Sequence, residues 1–295
     1  MTLNADQFGD SGPTGGNPDH RILPKGTVLQ KRYEIGRTLH VGEQRTVYLV
    51  RDLHYGSVTR LCVLKETVLT TLDPPMREIA TQVSEREATL LANLSHPGIP
   101  RIHDFFTEVD RVCLVMEYIE GDDLQAILES TQGMLNEATV LGWAIQICDI
   151  LIYLHSQDPP IVFGDLKPSH VMLRGEQRTI ILIDFAAARV FVAGRRGRFI
   201  VTEGYSAPER YQGIADPRSD VYALGATLHH LLTRRDPRRE SPFTFHEKPP
   251  RALNPALSAA TDAAIMKALE YDPAKRYPSA QAFRGALEAA LSLVG

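Results

Sequence analysis

Long apolar runs, a leader-like opening and paired cysteines are all missing from this 295-residue chain. No stretch is expected to reach the 18 or so apolar residues that cross a bilayer, and no basic-then-apolar segment opens the sequence. Cysteine is scarce: Cys62, Cys113 and Cys148 sit singly in apolar runs, with no C-x-x-C pair. That distribution argues against a disulfide framework and against a zinc site, and it fits a reducing, cytoplasmic setting. Charge of one sign is lacking too. Lys and Arg total 32 against 36 Asp and Glu, a net of −4, which excludes a polybasic nucleic-acid surface. No internal repeat is visible. What is present, 43 % hydrophobic and 23 % charged residues, is the composition of a globular protein. Neither nucleic acid nor a membrane is expected as a partner.

The first 20 residues hold three Asp, four Gly and two Pro but no Lys or Arg. So little apolar surface cannot offset the entropy of ordering, and residues 1–22 are expected to be a disordered tail. Beyond it, Tyr33–Arg37, Thr46–Arg51, Thr59–Val68, Ile102–Thr107 and Arg111–Tyr118 are rich in β-branched and aromatic residues, which predicts strands. Between them Ile79, Val83, Leu90, Leu91 and Leu94 recur near helical period, with Glu78, Glu85, Arg86 and Glu87 on other faces. Asn136 is placed to cap a strongly apolar helix through Ile152. Ile161–Val162, Val171–Leu173 and Thr179–Asp184 read as short strands. Asp220–Leu232, Ala256–Leu269 and Ser279–Leu293 read as helices, and Arg234–Pro250 as a surface loop. A β-rich first third before a helix-rich remainder predicts an α+β protein with two lobes.

Chemistry-bearing residues recur in a fixed order. A lysine ends the alternating run Val63-Leu64-Lys65. Glu87 follows on the predicted helix, with Glu85 as a rival. Then come Phe-Gly-Asp-Leu-Lys-Pro-Ser-His at 163–170, Ile-Asp-Phe-Ala at 183–186 and Ala-Pro-Glu at 207–209. This order resembles the protein-kinase signature set, in the form found in bacterial eukaryote-type serine/threonine kinases, from about Leu29 to Leu293. The resemblance implies a bilobal protein-kinase-like domain over 23–295. Its small β-rich N-lobe with one major helix spans about 23–117, its hinge about 117–121, and its larger helical C-lobe about 122–295. Almost no residues remain for a sensor or anchor, so regulation is expected from a separate partner.

The same resemblance assigns roles. Phosphoryl transfer asks a protein mainly for positioning and charge neutralisation. Lys65 would meet the phosphates of ATP and Glu87 would hold it. Asp165 would orient the substrate hydroxyl, Lys167 would neutralise the transferring group, and Thr202 would bond both. Asp184 would chelate the metal. Leu39, Gly42, Val47, Val63, Met116, Glu117, Ile119 and Met172 would line the nucleotide site, and Asp123 would meet the ribose. Asp220 would anchor the catalytic loop, and Glu209 would pair with Arg276. The partner implied is a protein substrate or signalling partner; oligomeric state is not legible.

Several positions depart from the pattern. His40 and Arg45 stand where the glycine-rich loop has glycines, leaving Gly42, which predicts an altered nucleotide grip. Phe163 and Gly164 stand where His and Arg precede the catalytic aspartate. The arginine of that pair ordinarily receives a phosphate on the activation segment, and no Ser, Thr or Tyr lies between Asp184 and Thr202. Arg195, Arg196 and Arg198 make that stretch basic. His170 replaces the asparagine that holds a second Mg²⁺; an imidazole nitrogen suits Mn²⁺ better. Ala186 replaces a glycine, with strain expected if φ there is positive. Two functions remain open. One is an ATP-dependent serine/threonine protein kinase with atypical Mg²⁺ or Mn²⁺ preference. The other is a pseudokinase acting as a nucleotide-binding or scaffolding module. Ala207-Pro208-Glu209 and Thr202 weigh against a small-molecule phosphotransferase.

Overall fold

The computed structural model describes residues 22–42, 45–56, 58–108, 110–175, 178–192, 196–197 and 200–295. The tail expected over 1–22 lies outside them except for Ile22, as do Arg195 and Arg198. The β-branched and aromatic runs of the first third become β1 (Val28–Leu29), β2 (Tyr33–Val41), β3 (Arg45–Asp52) and β4 (Leu61–Val68). After helix α1 (Pro74–Asn93) come β5 (Ile102–Glu108) and β6 (Arg111–Glu117). They form one antiparallel sheet in the order β1-β2-β3-β4-β6-β5. Side chains alternate between its faces. One face is sealed by a cluster that includes Tyr48, Val50, Cys62, Leu64, Cys113 and Val115. The other carries two cross-strand rows, Val47–Lys65–Leu114 and Leu49–Val63–Met116.

Helix α1 begins where Asp73 accepts a hydrogen bond from Met76 N–H at 2.9 Å and two prolines open the first turn. Its buried face differs from expectation. Ala80, Ser84, Glu87, Ala88 and Leu91 are buried, whereas Ile79 is 47 % exposed. The cause is tertiary: the polar side chains Ser84 and Glu87 face partners on β4, the Thr67 hydroxyl at 3.4 Å and the Lys65 ammonium. Apolar periodicity does not register such a stripe.

The remainder is helical with small sheets. In chain order it holds β7 (Gly121–Asp123), α2 (Leu124–Ser130), α3 (Glu137–His155), β8 (Ile161–Val162), β9 (Val171–Arg174), β10 (Thr179–Leu182) and β11 (Arg189–Val190). Then follow α4 (Pro208–Tyr211), α5 (Pro217–Thr233), α6 (Pro250–Leu253), α7 (Ala259–Ala268) and α8 (Ala280–Leu291). The short strands pair as β10-β9-β7 and β11-β8. Asn136 caps α3 as expected, accepting from Thr139 N–H at 2.9 Å. By length and composition α3 is apolar enough to cross a membrane, contrary to the reading of the sequence. Here it packs on α8 and α5 with Leu141, Ala144, Cys148 and Leu151 fully buried. The segment 234–250 runs largely at the surface as expected, but it is anchored by three buried residues. Pro237, Phe245 and Pro250 are buried, and the Phe245 ring sits 5.0 Å from His229 and 6.2 Å from Tyr222.

Two units result. Residues up to Ser95 with Pro100–Tyr118 form the first, and His96–Ile99 with Ile119–Gly295 the second.

Candidate active site

In the first unit the site is built on the face of the sheet opposite the buried cluster. Strand alternation brings Val47, Val63, Lys65 and Met116 to that one face. Lys65 and Glu87 are both buried, and the Lys65 ammonium donates to Glu87 Oε1 at 2.9 Å and Oε2 at 3.1 Å. Glu85, the rival, points to solvent. Glu117 ends β6, and its N–H donates to Arg101 C=O at 2.8 Å. Leu39 is half-exposed on β2. Gly42 N–H donates to Arg45 C=O at 2.8 Å across the β2–β3 turn, and a Cβ at Gly42 would lie 3.2 Å from that oxygen. A side chain at position 42 would press on that oxygen, which would have to give by a few tenths of an ångström, while His40 and Arg45 sit in strand register on either side.

In the second unit the segment 163–170 is fixed from below. The Asp220 carboxylate, buried on α5, accepts from Phe163 N–H and Gly164 N–H, each at 2.8 Å, and lies 2.9 Å from His155 Nε2. The Phe163 ring meets Phe185 edge-on with centroids 5.1 Å apart, the apolar contact expected of that replacement. On this support stands Asp165. Its Oδ1 accepts from the Thr202 hydroxyl and its Oδ2 from Lys167 Nζ at 3.1 Å; Lys167 Nζ is also 3.5 Å from Thr202 Oγ1. His170 Nδ1 lies 2.9 Å from the Asp165 backbone oxygen, and its Nε2 lies 3.6 Å from Asp184 Oδ2. Burial holds the His170 imidazole below its ordinary pKa, so the neutral ring is favoured.

The strain expected at Ala186 is elsewhere. Ala186 sits buried in a single 3-10 turn, Phe185–Ala187, and the left-handed residue is Asp184, with φ 65°. Aspartate is among the side chains that tolerate this region. Asp184 Oδ1 also accepts from Ala186 N–H at 3.3 Å. Asp123 and Met172 are cross-strand partners on β7 and β9. The Asp123 carboxylate caps α2 by accepting from Gln125 and Ala126 N–H, and burial pushes its pKa up. Ile119 is buried. Glu209 pairs bidentately with Arg276 at 2.7 and 2.8 Å, and accepts from the Ser219 hydroxyl at 2.7 Å.

No group of three or more His, Cys, Asp or Glu able to hold a metal occurs among the described residues. The Asp184 carboxylate beside the neutral His170 ring offers an oxygen and a nitrogen donor, which fits a cation that takes its remaining ligands from phosphate oxygens. The face of the first unit's sheet that carries Val47, Val63 and Met116 around the buried Lys65 ammonium fits a nucleotide in the same sense. Sequence reasoning missed three supports: His155 beneath Asp220, Ser206, whose hydroxyl accepts from Thr202 N–H at 2.8 Å, and Arg210. Ser206 and Arg210 lie in no periodic run, and His155, although it continues the period of α3, is a polar residue whose partner Asp220 is distant in sequence.

With this geometry in view, a model of the protein kinase domain matches residues 33–285. The chain belongs to the protein kinase family. Members of this family use ATP and a divalent cation. The chain is 31 % identical to serine/threonine-protein kinase PknA of Nostoc sp. over 277 residues, 88 % of this chain and 48 % of that protein. It is 33 % identical to a probable serine/threonine-protein kinase of Streptomyces coelicolor over 281 residues, 89 % and 40 % of the two lengths. The chain thus spans less than half the length of these kinases. The crystal structure of the PknI kinase domain of Mycobacterium tuberculosis is similar at 25 % identity, with a TM-score of 0.70, covering 91 % of this chain and 100 % of that domain. The protein-kinase-like fold expected from the motif order, β-rich at first and helical after, is the fold found.

Proposed function

We propose that this kinase-family chain is an ATP-dependent serine/threonine protein kinase, transferring the γ-phosphoryl group of ATP to a hydroxyl of a protein substrate in the cytoplasm. The observation that carries this reading is the arrangement at Asp165. A carboxylate, an ammonium and a threonine hydroxyl converge on one point while Lys65 is already paired with Glu87.

In this reading Asp165 accepts or orients the proton of the substrate hydroxyl. Lys167 stays beside it as a cation for the charge that spreads over the transferring group. Thr202 holds Asp165 from the far side and keeps its second oxygen directed. Lys65, fixed by Glu87, grips the phosphates of ATP. Val47, Val63, Met116 and Met172 contribute apolar surface for the base, Leu39, Gly42, Glu117 and Ile119 backbone or flanking contact, and Asp123 a polar group for the ribose. Asp184 and His170 would hold a divalent cation, which when bound supplies charge neutralisation between phosphate oxygens. His170 gives that pair a nitrogen donor, and this favours Mn²⁺ over Mg²⁺.

A pseudokinase is the second reading, and it draws on His170, whose ring is engaged with the Asp165 carbonyl beside Asp184. Labelled γ-phosphate transfer onto generic Ser- and Thr-bearing proteins, with each metal in turn, separates the two. The kinase reading expects incorporation that is larger with Mn²⁺ and vanishes in Asp165→Asn. No incorporation with either metal, alongside normal ATP-dependent thermal stabilisation, leaves the pseudokinase.

A further inference from the structure

Gly164 and Arg210 occupy one space. Gly164 has φ +79°, and a Cβ added there would lie 2.6 Å from Arg210 Nη2 and 2.9 Å from Cζ and Nη1. A side chain at 164 and the Arg210 guanidinium cannot coexist as placed. Arg210 is 2 % exposed. Its Nη2 donates to two backbone carbonyls, Gly164 C=O and Ile200 C=O, each at 3.1 Å. The first belongs to the peptide that leads directly into Asp165. The second lies two residues before Thr202, whose hydroxyl donates to Asp165. One guanidinium thus joins the two backbone segments that deliver both ends of that bond.

The arginine is itself well anchored. It sits on α4 next to Glu209, which Arg276 and Ser219 hold. Asp220, Asp165 and Glu209 surround it with negative charge and oppose the pull of burial on its pKa. The peptide before Asp165 is therefore gripped on both sides, its preceding N–H groups by Asp220 and its carbonyl by Arg210. A planar, permanently charged fork suits this double role better than a point charge. The stretch between Asp184 and Thr202 has no hydroxyl side chain to carry a phosphate.

We infer that Arg210 is a positioning residue that staples the Ile200–Thr202 backbone to the Gly164–Asp165 peptide, so that the Asp165–Thr202–Lys167 arrangement stands without phosphorylation of the segment before Thr202. The activity part of this inference rests on the kinase reading; the structural part does not.

The test compares phosphatase-treated wild type with Arg210→Ala, Arg210→Lys and Gly164→Ala, the last placing a methyl against the guanidinium. Three readouts are taken: kcat against KM for ATP, amide hydrogen exchange at Thr202, Tyr205 and Ser206, and the melting temperature. Wild type should keep its kcat after phosphatase treatment. Arg210→Ala should lower kcat on the order of 10²-fold, as misplaced catalytic groups do, with KM for ATP nearly unchanged. It should also speed exchange at those amides, and Arg210→Lys and added free guanidinium should each restore part of kcat. Unchanged exchange in Arg210→Ala overturns the staple. A loss of kcat that merely follows the melting temperature overturns it as well. If wild type transfers no phosphate, the kinase reading fails and exchange alone decides the staple. If Arg210→Ala does not fold, Arg210→Lys and Gly164→Ala are judged by the same readouts.

Discussion

The two units orient their charged groups by different means. In the first, Lys65 is aimed by a carboxylate that reaches it from a different element, across the contact between β4 and α1. In the second, Asp165 is approached by Lys167, Thr202 and His170, and the N–H groups of the two residues before it rest on Asp220. Departures from the family pattern fall differently too. In the first unit they lie at a turn where backbone shape matters, His40 and Arg45 around Gly42. In the second they replace side chains, and three of the replacements have a named neighbour: Phe185 against Phe163, Arg210 against Gly164, the Asp165 carbonyl against His170. A site that depends on side chains absorbs substitution by repacking; a turn that presents backbone has fewer ways to do so.

This contrast can be broken or sharpened by measurement. The largest effect is expected in the second unit. Asp165→Asn should cut phosphate incorporation by about 10²–10⁴-fold, the usual worth of a positioned acid or base, with unfolding by denaturant little altered. In the first unit the same kind of change acts on stability. Glu87→Ala leaves the Lys65 ammonium buried without its carboxylate and should cost about 3–5 kcal/mol in urea unfolding. Glu85→Ala, at an exposed position, should stay within about 0.5 kcal/mol. An equal response from both would show that Lys65 is not held by Glu87.

A third difference concerns acid. Burial lowers the pKa of His229 and of His230 to about 4 in the folded second unit, from the ordinary 6.5. Unfolding therefore takes up protons between these values. The contribution to stability is complete above pH 6.5 and is lost as pH falls toward 4, by about 3 kcal/mol for each histidine. Thermal unfolding followed from pH 7.5 to 4.5 should fall accordingly, and His230→Gln should flatten the curve. Next in size, His170→Asn should move the ratio of Mg²⁺- to Mn²⁺-supported transfer toward Mg²⁺ by about tenfold, equivalent to about 1.4 kcal/mol. Smallest is Arg45→Gly. It should change stability by about 0.5 kcal/mol or less, and a lower KM for ATP would show that the turn was the weaker half of the site.

Much of this was legible beforehand, though unevenly. The strands of the first unit announced themselves because β-branched and aromatic runs alternate, and Asn136 announced α3 because its side chain caps the first turn. Lys65, Asp165 and Asp184 stood out through motif order. Glu87 was visible only as one of two candidates, since nothing local says which face of α1 turns inward. The stripe Ile79, Val83, Leu90 misled for the same reason: partners on β4, not helical period, chose the face. Phe245 looked like part of a loop because its contacts, Tyr222 and His229, are distant in sequence. Arg210 gave no signal at all. Its role exists only because Gly164, far from it in the chain, leaves room for a guanidinium.

The order of residue types along the chain determined the family and the succession of β-rich and helical parts, and it singled out the ionisable groups proposed to take part in chemistry. These follow from local periodicity and from motifs a few residues long. Tertiary structure alone decided which glutamate meets Lys65, that the left-handed strain rests on Asp184 instead of Ala186, and that a buried arginine fills the space beside Gly164. Each is a contact or a backbone angle set by groups distant in sequence, and hydrogen bonds over 3 Å have no counterpart in spacing along a chain.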